Sequence, residues 1–199
     1  MYKTLGNLKK GLIFVLSAPA GTGKTTLAQM LCKEFSCVVE SISYTTRKMR
    51  EGEKEGEHYH FISEKEFEKR KSAGDFLESA SFLGNHYGTS RSQVEEYLKK
   101  GKHVILVIDT QGAEELRGKV EATSIFISPP SLDELKLRLL RRRTETPEAI
   151  AKRLEWATEE MKRKSAYDYH IVNDNLEVAY AVLRSILIAE EHKIIRENK

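Results

Sequence analysis

Residues 12 to 25 constrain the fold of this chain more than any other stretch. Leu12-Ile13-Phe14-Val15-Leu16 is a continuous apolar run of strand formers, the pattern of a strand buried on both faces of a parallel sheet. Directly after it, Ala18-Pro19-Ala20-Gly21-Thr22-Gly23-Lys24-Thr25 departs from the G-x-x-x-x-G-K-[ST] pattern only at its first position, where Ala18 replaces glycine. Leu27, Met30 and Leu31 then fall at helical spacing between Lys24 and Phe35. Strand, glycine loop and helix together open an α/β fold. Gly21 and Gly23 let successive backbone N–H groups turn inward around phosphate oxygens. The helix starting near Lys24 aims its positive end at the same charge. In such a loop Lys24 reaches the β- and γ-phosphates and the Thr25 hydroxyl ligates Mg²⁺. The bland alternative, an ordinary glycine turn, leaves the Gly23-Lys24-Thr25-Thr26 run unexplained.

The rest of the chain alternates in a compatible way. Val104 to Ile108 and Ser124 to Ile127 are further apolar strand candidates, and Tyr169 to Val172 reads as the last strand. Asp109 ends the second run. A carboxylate there lies beside the phosphate loop and can hold the Mg²⁺ shell, or it can simply start a turn. A helix is expected from Ser90 to Lys100 with Gly101 as its stop. Ser131-Leu132-Asp133-Glu134 is a capping box, and Thr146-Pro147 opens another helix striped by Ile150, Leu154, Ala157 and Met161. Leu176 to about Ile195 reads as a final helix. Residues 38 to 90 differ: short strand candidates, a polar loop from Thr45 to Glu57, and a helix opened by Ser63 and Glu66. They read as an inserted α+β subdomain.

Composition narrows the setting. A chain of 199 residues with net charge +3 suits one domain, and its charge is too mild to argue for nucleic acid. No apolar run approaches membrane-spanning length. Lys3, Lys9 and Lys10 before an apolar run, with Ala18-Pro19-Ala20 behind it, mimic a secretory signal. The run is short for that purpose, and cleavage would cut the glycine loop. Cys32 and Cys37 are expected as free thiols in a reducing, cytoplasmic compartment, with a regulatory disulfide as the minor alternative.

Many proteins carry such a loop, and the remaining motifs are more specific. Ser43-Tyr44-Thr45-Thr46-Arg47-Lys48-Met49-Arg50-Glu51-Gly52-Glu53, Gly56-Glu57-His58-Tyr59, Phe76-Leu77-Glu78, Gly84-Asn85-His86-Tyr87-Gly88-Thr89, Ile108-Asp109-Thr110-Gln111-Gly112, Arg142-Arg143-Thr144-Glu145-Thr146 and Ile171-Val172-Asn173-Asp174 follow the loop in order. With it, they resemble guanylate kinases over nearly the whole chain. The resemblance implies a P-loop NTPase-type parallel sheet flanked by helices, with an inserted acceptor-binding subdomain (38–89) and a helical lid (129–155). The core would be 11–37, 90–128 and 156–199.

It also implies transfer of the γ-phosphoryl group of ATP to GMP or dGMP, with Mg²⁺, by a monomer or small homo-oligomer that engages neither nucleic acid nor membrane. Arg47 and Arg50 would bind the GMP phosphate with Tyr59 and Tyr87, and Glu53 would support them. Guanidinium forks match phosphate oxygens bidentately. Glu78, with Ser43 and Thr89, would read the base, since a carboxylate accepts from guanine's two donors and suits adenine badly. Residues Ala18 to Thr26 and Asn173 would contact ATP, and Asp109 would serve both metal and acceptor. Arg138, Arg142 and Arg153 would join Lys24 in neutralising charge on the transferring group.

Three departures from the family stand out: Val107 where a first aspartate of Asp-x-Asp is common, Arg143 for glycine, and Ala20 for serine. Two rival readings remain. One is a phosphopeptide-binding scaffold module, against which Lys24 and Thr25 argue. The other is a kinase with a different small acceptor, against which Glu78 and Thr89 argue. A nucleic-acid binder built on Arg141-Arg142-Arg143 lacks any accompanying recognition motif.

Overall fold

The computed structural model describes residues 2–82, 84–141 and 146–194. In chain order its first elements are β1 (Ile13–Ser17), α1 (Lys24–Glu34), β2 (Val38–Glu40), β3 (Tyr44–Thr45), β4 (His60–Phe61), α2 (Glu64–Ser72), β5 (Phe76–Phe82) and β6 (Asn85–Ser90). They are followed by α3 (Arg91–Lys99), β7 (His103–Ile108), α4 (Thr110–Leu116), β8 (Thr123–Ser128), α5 (Leu132–Arg141), α6 (Pro147–Lys162), β9 (Tyr169–Val172) and α7 (Leu176–Glu191).

The apolar run at the start of the chain becomes β1, buried along its whole length. It occupies the middle of a five-stranded sheet ordered β2-β7-β1-β8-β9, in which every pairing is parallel. Alternate residues point to opposite faces. Phe14 and Leu16 pack with Leu27 and Leu31 of α1 and Leu183 and Leu187 of α7. Ile13 and Val15 pack with Val94 and Leu98 of α3 and Leu116 of α4. Helices on both faces explain why these strands carry no polar alternation. The expected parallel sheet flanked by helices is what the chain forms. Among the described residues no helix is long and apolar enough to cross a membrane.

A second sheet, ordered β4-β3-β6-β5, carries α2. Phe67 of α2 is fully buried with its ring 4.7 Å from that of Phe76, and the Ser63 hydroxyl accepts from the Glu66 N–H at 3.2 Å as the cap predicts. The sequence-based boundary at residue 38 differs from the observed one. β2 pairs with β7 in the main sheet, Val38 opposite His103, and the Ser41 N–H continues the ladder to the Ile105 carbonyl at 3.0 Å. The second sheet therefore starts at Tyr44. The boundary drawn at residue 155 likewise falls inside α6, which runs unbroken from Pro147 to Lys162. The predicted cap holds there, with the Ala149 N–H donating to the Thr146 hydroxyl at 3.3 Å. Leu135 and Leu139 of α5 pack on Ile150 and Ala157 of α6, so these two helices share one small core.

At the amino end of the main sheet, α7 closes with a buried carboxylate. Glu191 accepts from the Gly6 N–H at 2.6 Å, the Asn7 N–H at 3.0 Å and the Asn7 side-chain amide at 2.7 Å. It also accepts from His103 Nε2 at 2.6 Å. The Leu12 N–H donates to His103 Nδ1 at 3.1 Å, which leaves the ring proton on Nε2 for Glu191. Burial alone would raise the Glu191 pKa. The Gly6, Asn7 and His103 donors outweigh it and hold the pKa below its ordinary 4.5. Glu191→Gln sets an amide against donors and is expected to cost about 1–3 kcal/mol. Because the folded-state pKa is depressed, the wild-type advantage is full above about pH 4.5 and fades as the pH falls through the lowered value. Thermal melting of both forms across that range checks this; equal melting temperatures at neutral pH would contradict it.

Candidate active site at the carboxyl end of the main sheet

The chain leaves β1 into a loop that its own backbone braces. The Pro19 carbonyl accepts from the Thr22 N–H at 3.3 Å and the Thr22 hydroxyl at 2.8 Å. Gly21 and Gly23 have φ of 94° and 97°, the left-handed region that side chains rarely enter. Gly23 is the N-cap of α1 and no side chain caps that end, so its first N–H groups suit an anion. The Asn173 amide donates to the Thr22 carbonyl at 2.7 Å. A Cβ on Gly23 would come within 2.7 Å of that amide nitrogen. The Lys24 ammonium donates to the Ala18 carbonyl, folding the side chain back along the loop.

This loop forms one end of a cleft of about 320 Å³. Ala18, Ala20, Gly21, Thr22, Gly23, Lys24, Thr25 and Thr26 line it, and Asp109, just after β7, and Arg153 of α6 face it. Asp109 does two jobs. It fronts the cleft, and its carboxylate caps α4 by accepting from the Gly112 N–H at 2.8 Å.

The other end is built by the second sheet: Ser43, Arg47, Arg50, Glu53, Tyr59, Glu78 and Tyr87 line it. Glu53 organises the arginine loop. One of its oxygens pairs with the Arg47 guanidinium at 2.7 Å, and the other accepts from the Arg50 N–H at 2.8 Å. The Arg47 hydrogen bond leads the interactions that lower the Glu53 pKa, so the carboxylate stays ionised. The Arg47 guanidinium also lies over the Tyr59 ring at 5.4 Å, and Tyr59 meets Tyr87 edge-on at 5.9 Å. Two cations and two phenols thus converge on one wall, a donor-rich surface suited to a phosphate. Glu78 of β5 is only 3% exposed and accepts from the Thr89 hydroxyl at 2.6 Å. Burial pushes its pKa up to about 7; the Thr89 bond opposes this, and the Asp109 and Glu115 charges add to it.

Not every sequence-predicted residue reaches the cleft. Pro19 and Asn173 brace the loop from behind, and Thr89 stands behind Glu78. Arg138 is engaged elsewhere: its guanidinium donates to the Asn173 carbonyl at 2.9 Å and pairs with Glu134 at 2.8 Å. Arg142 and Arg143 lie outside the described residues. Three lining residues, Ala80 and Phe82 of β5 and Glu160 of α6, were not expected in the site. Glu160 of α6 faces the cleft with Arg153, and burial pushes its pKa up to about 7, with Lys24 lowering and Asp109 raising it. Its signal was its position three residues after the buried Ala157, on the apolar stripe of α6.

Residues 10–190 match the family described as guanylate kinase. The chain belongs to the guanylate kinase family. It is 57% identical to a guanylate kinase of Protochlamydia amoebophila, an alignment covering 96% of this chain and 98% of that one. It is 46% identical to a guanylate kinase of Symbiobacterium thermophilum over 96% of this chain and 92% of that one. The crystal structure of guanylate kinase from Anaplasma phagocytophilum superposes with a TM-score of 0.77 at 38% identity, covering 96% of this chain and 90% of that one. In this guanylate kinase family member Val107 is only half-buried and lines the cleft, contrary to the expectation of a wholly buried strand. A carboxylate at that position would face the cleft beside Asp109 instead of being sealed in the core.

Proposed function

We propose that this chain transfers the γ-phosphoryl group of ATP to GMP, and to dGMP, giving ADP and GDP or dGDP. The observation that carries the proposal is a single cleft with a phosphate loop at one end and, at the other, a paired-arginine wall beside a buried carboxylate. ATP phosphates would lie on the N–H groups of residues 21–25 with Lys24 alongside. The GMP phosphate would sit among Arg47, Arg50, Tyr59 and Tyr87, and Glu78 would accept from the guanine N1–H and 2-amino group.

A GMP phosphate oxygen would then attack the γ-phosphorus in line as the bond to the β,γ-bridging oxygen breaks, and ADP leaves with that oxygen. The nucleophile is already anionic, so no general base is needed. Catalysis is positioning and charge stabilisation by Lys24 and the arginines. Arg153 already faces the cleft, whereas Arg138 would have to exchange the Asn173 carbonyl for a phosphate oxygen. The second sheet with α2 would be the acceptor-binding subdomain, and α5 with the start of α6 the lid.

Thr25 and Asp109 line the cleft together with Lys24 and offer hard oxygen donors, which suits Mg²⁺. Among the described residues no group of three or more His, Cys, Asp or Glu could hold a metal. Mg²⁺ does not require such a group, because it takes one or two protein oxygens with phosphate and water completing its shell. Mg²⁺ would screen the β- and γ-phosphate charge. We place the reaction in the cytoplasm, a reading supported by the free thiols of Cys32 and Cys37.

ADP release measured against all common nucleoside monophosphates tests the acceptor. GMP and dGMP are expected to be used far better than AMP, CMP or UMP, and comparable rates for AMP would overturn the guanine assignment. The raised pKa of Glu78 adds a pH dependence. Only the ionised carboxylate accepts from both guanine donors, so the GMP-to-AMP ratio of kcat/KM is expected to fall below about pH 7, by up to about tenfold per pH unit. AMP carries the same phosphate, so titration of that phosphate cancels in the ratio. A ratio flat between about pH 8 and about pH 6 would contradict the role of Glu78 as an ionised acceptor.

A further inference from the structure

We infer that Gly112 is a specificity-determining position: the bare backbone of α4 at this residue forms the wall that holds the Glu78 carboxyl toward the base. This role rests on Glu78 reading guanine, as proposed above.

Gly112 is the third residue of α4 and is buried. It is not among the glycines with positive φ, so the backbone there would accept any residue. Alanine is also the better helix former. Conformation and propensity therefore both favour a side chain at this position, and only space forbids one. A Cβ on Gly112 would lie 2.5 Å from Glu78 Oε2 and 3.1 Å from its Cδ, inside van der Waals contact.

A carboxyl at the end of a flexible side chain could ordinarily move away. This one is constrained on the sides away from the cleft that it lines. Its Oε1 accepts from Thr89 at 2.6 Å, and the side chain is buried. Retreat of α4 is equally restricted. The Gly112 N–H is held by Asp109 at 2.8 Å. Glu115 of the same helix accepts from the Ser79 N–H, the residue after Glu78, at 2.8 Å. That bond fixes the spacing between α4 and β5. A methyl group at position 112 would therefore push the carboxyl off Thr89 and out of register with the base edge. The three atoms nearest to such a methyl belong to Glu78 and Ile108, none of them to the phosphate loop or the arginine wall, which would be left in place.

The test is Gly112→Ala, with kcat/KM measured for GMP, IMP and AMP, KM for MgATP, and thermal melting. IMP retains the N1–H but lacks the 2-amino group. The expected result is a fall of about tenfold or more for GMP, a smaller fall for IMP and little change for AMP, with KM for MgATP unchanged. Equal losses for GMP and AMP, or no loss for GMP, would overturn the inference.

The double variant Gly112→Ala/Glu78→Asp withdraws the carboxyl by one methylene and should relieve the clash. Its GMP-to-AMP ratio is expected to exceed the product of the two single effects. A ratio equal to that product would count against direct contact. If Gly112→Ala alone does not fold, recovery of a folded protein on adding Glu78→Asp supports the contact, and failure to recover overturns it. Glu78→Gln measured in parallel separates the two levels. If it leaves the GMP-to-AMP ratio unchanged, base reading by Glu78 itself fails. If it narrows the ratio while Gly112→Ala does not, only the role of Gly112 is lost.

Discussion

Lys24→Ala is expected to lower kcat for phosphoryl transfer by at least about a thousandfold while leaving the fold intact. The ammonium is held along the phosphate loop by the Ala18 carbonyl, at the end of the cleft where the β- and γ-phosphates would lie. Charge that builds on the transferring group has Lys24 as its nearest fixed cation on α1. Donors positioned in advance of the reaction contribute most, because nothing has to reorganise as that charge appears. The fold has no such dependence. Lys24 is not in the core, it opens a helix that alanine favours, and the loop keeps its Asn173 brace. ADP release and thermal melting of the purified variant check both halves. Near-normal turnover in a folded variant would remove the loop from the chemistry.

Glu78→Gln is expected to cost GMP on the order of 2–4 kcal/mol, roughly a 30- to 1000-fold loss in kcat/KM. The amide keeps the shape of the side chain but presents a donor to at least one guanine donor. It also leaves the Thr89 hydroxyl to find its acceptor on the remaining carbonyl oxygen. AMP never made those bonds, so its loss should be far smaller and discrimination should narrow. The wall of Arg47, Arg50, Tyr59 and Tyr87 is untouched, so a monophosphate should still bind. Equal losses for GMP and AMP would mean that Glu78 does not read the base.

What could be read from the sequence follows from the range of the interactions involved. β1, the loop at Gly21 and Gly23, and the caps at Ser63 and Thr146 are decided by neighbours in the chain, and each formed where its local pattern put it. α4 was missed because it is short and carries Gly112, a poor helix former, and because its cap, Asp109, reads equally well as a site carboxylate. β2 was assigned to the wrong sheet because strand membership depends on pairing with His103 to Ile105, far along the chain. The site behaves in the same way. The motif residues of the phosphate loop, except Pro19, and those of the arginine wall line one cleft. Asn173 and Thr89, predicted to meet ligand, stand behind the residues that line the cleft. Their bonds to Thr22 and Glu78 bridge segments that no local pattern connects. Glu160 and Gly112 matter only through what the fold sets against them, which is a property of tertiary packing.

The measurement that bears most directly on the central claim is the fate of the γ-phosphorus. Purified chain would be incubated with Mg²⁺, GMP and ATP labelled at the γ-phosphoryl group, and the products separated and quantified. The account predicts that the label appears in the β-phosphate of GDP, in amounts equal to the ADP formed, with little free phosphate and no comparable transfer to AMP. Label accumulating as inorganic phosphate without GDP, or ATP left intact in the presence of GMP, would contradict it.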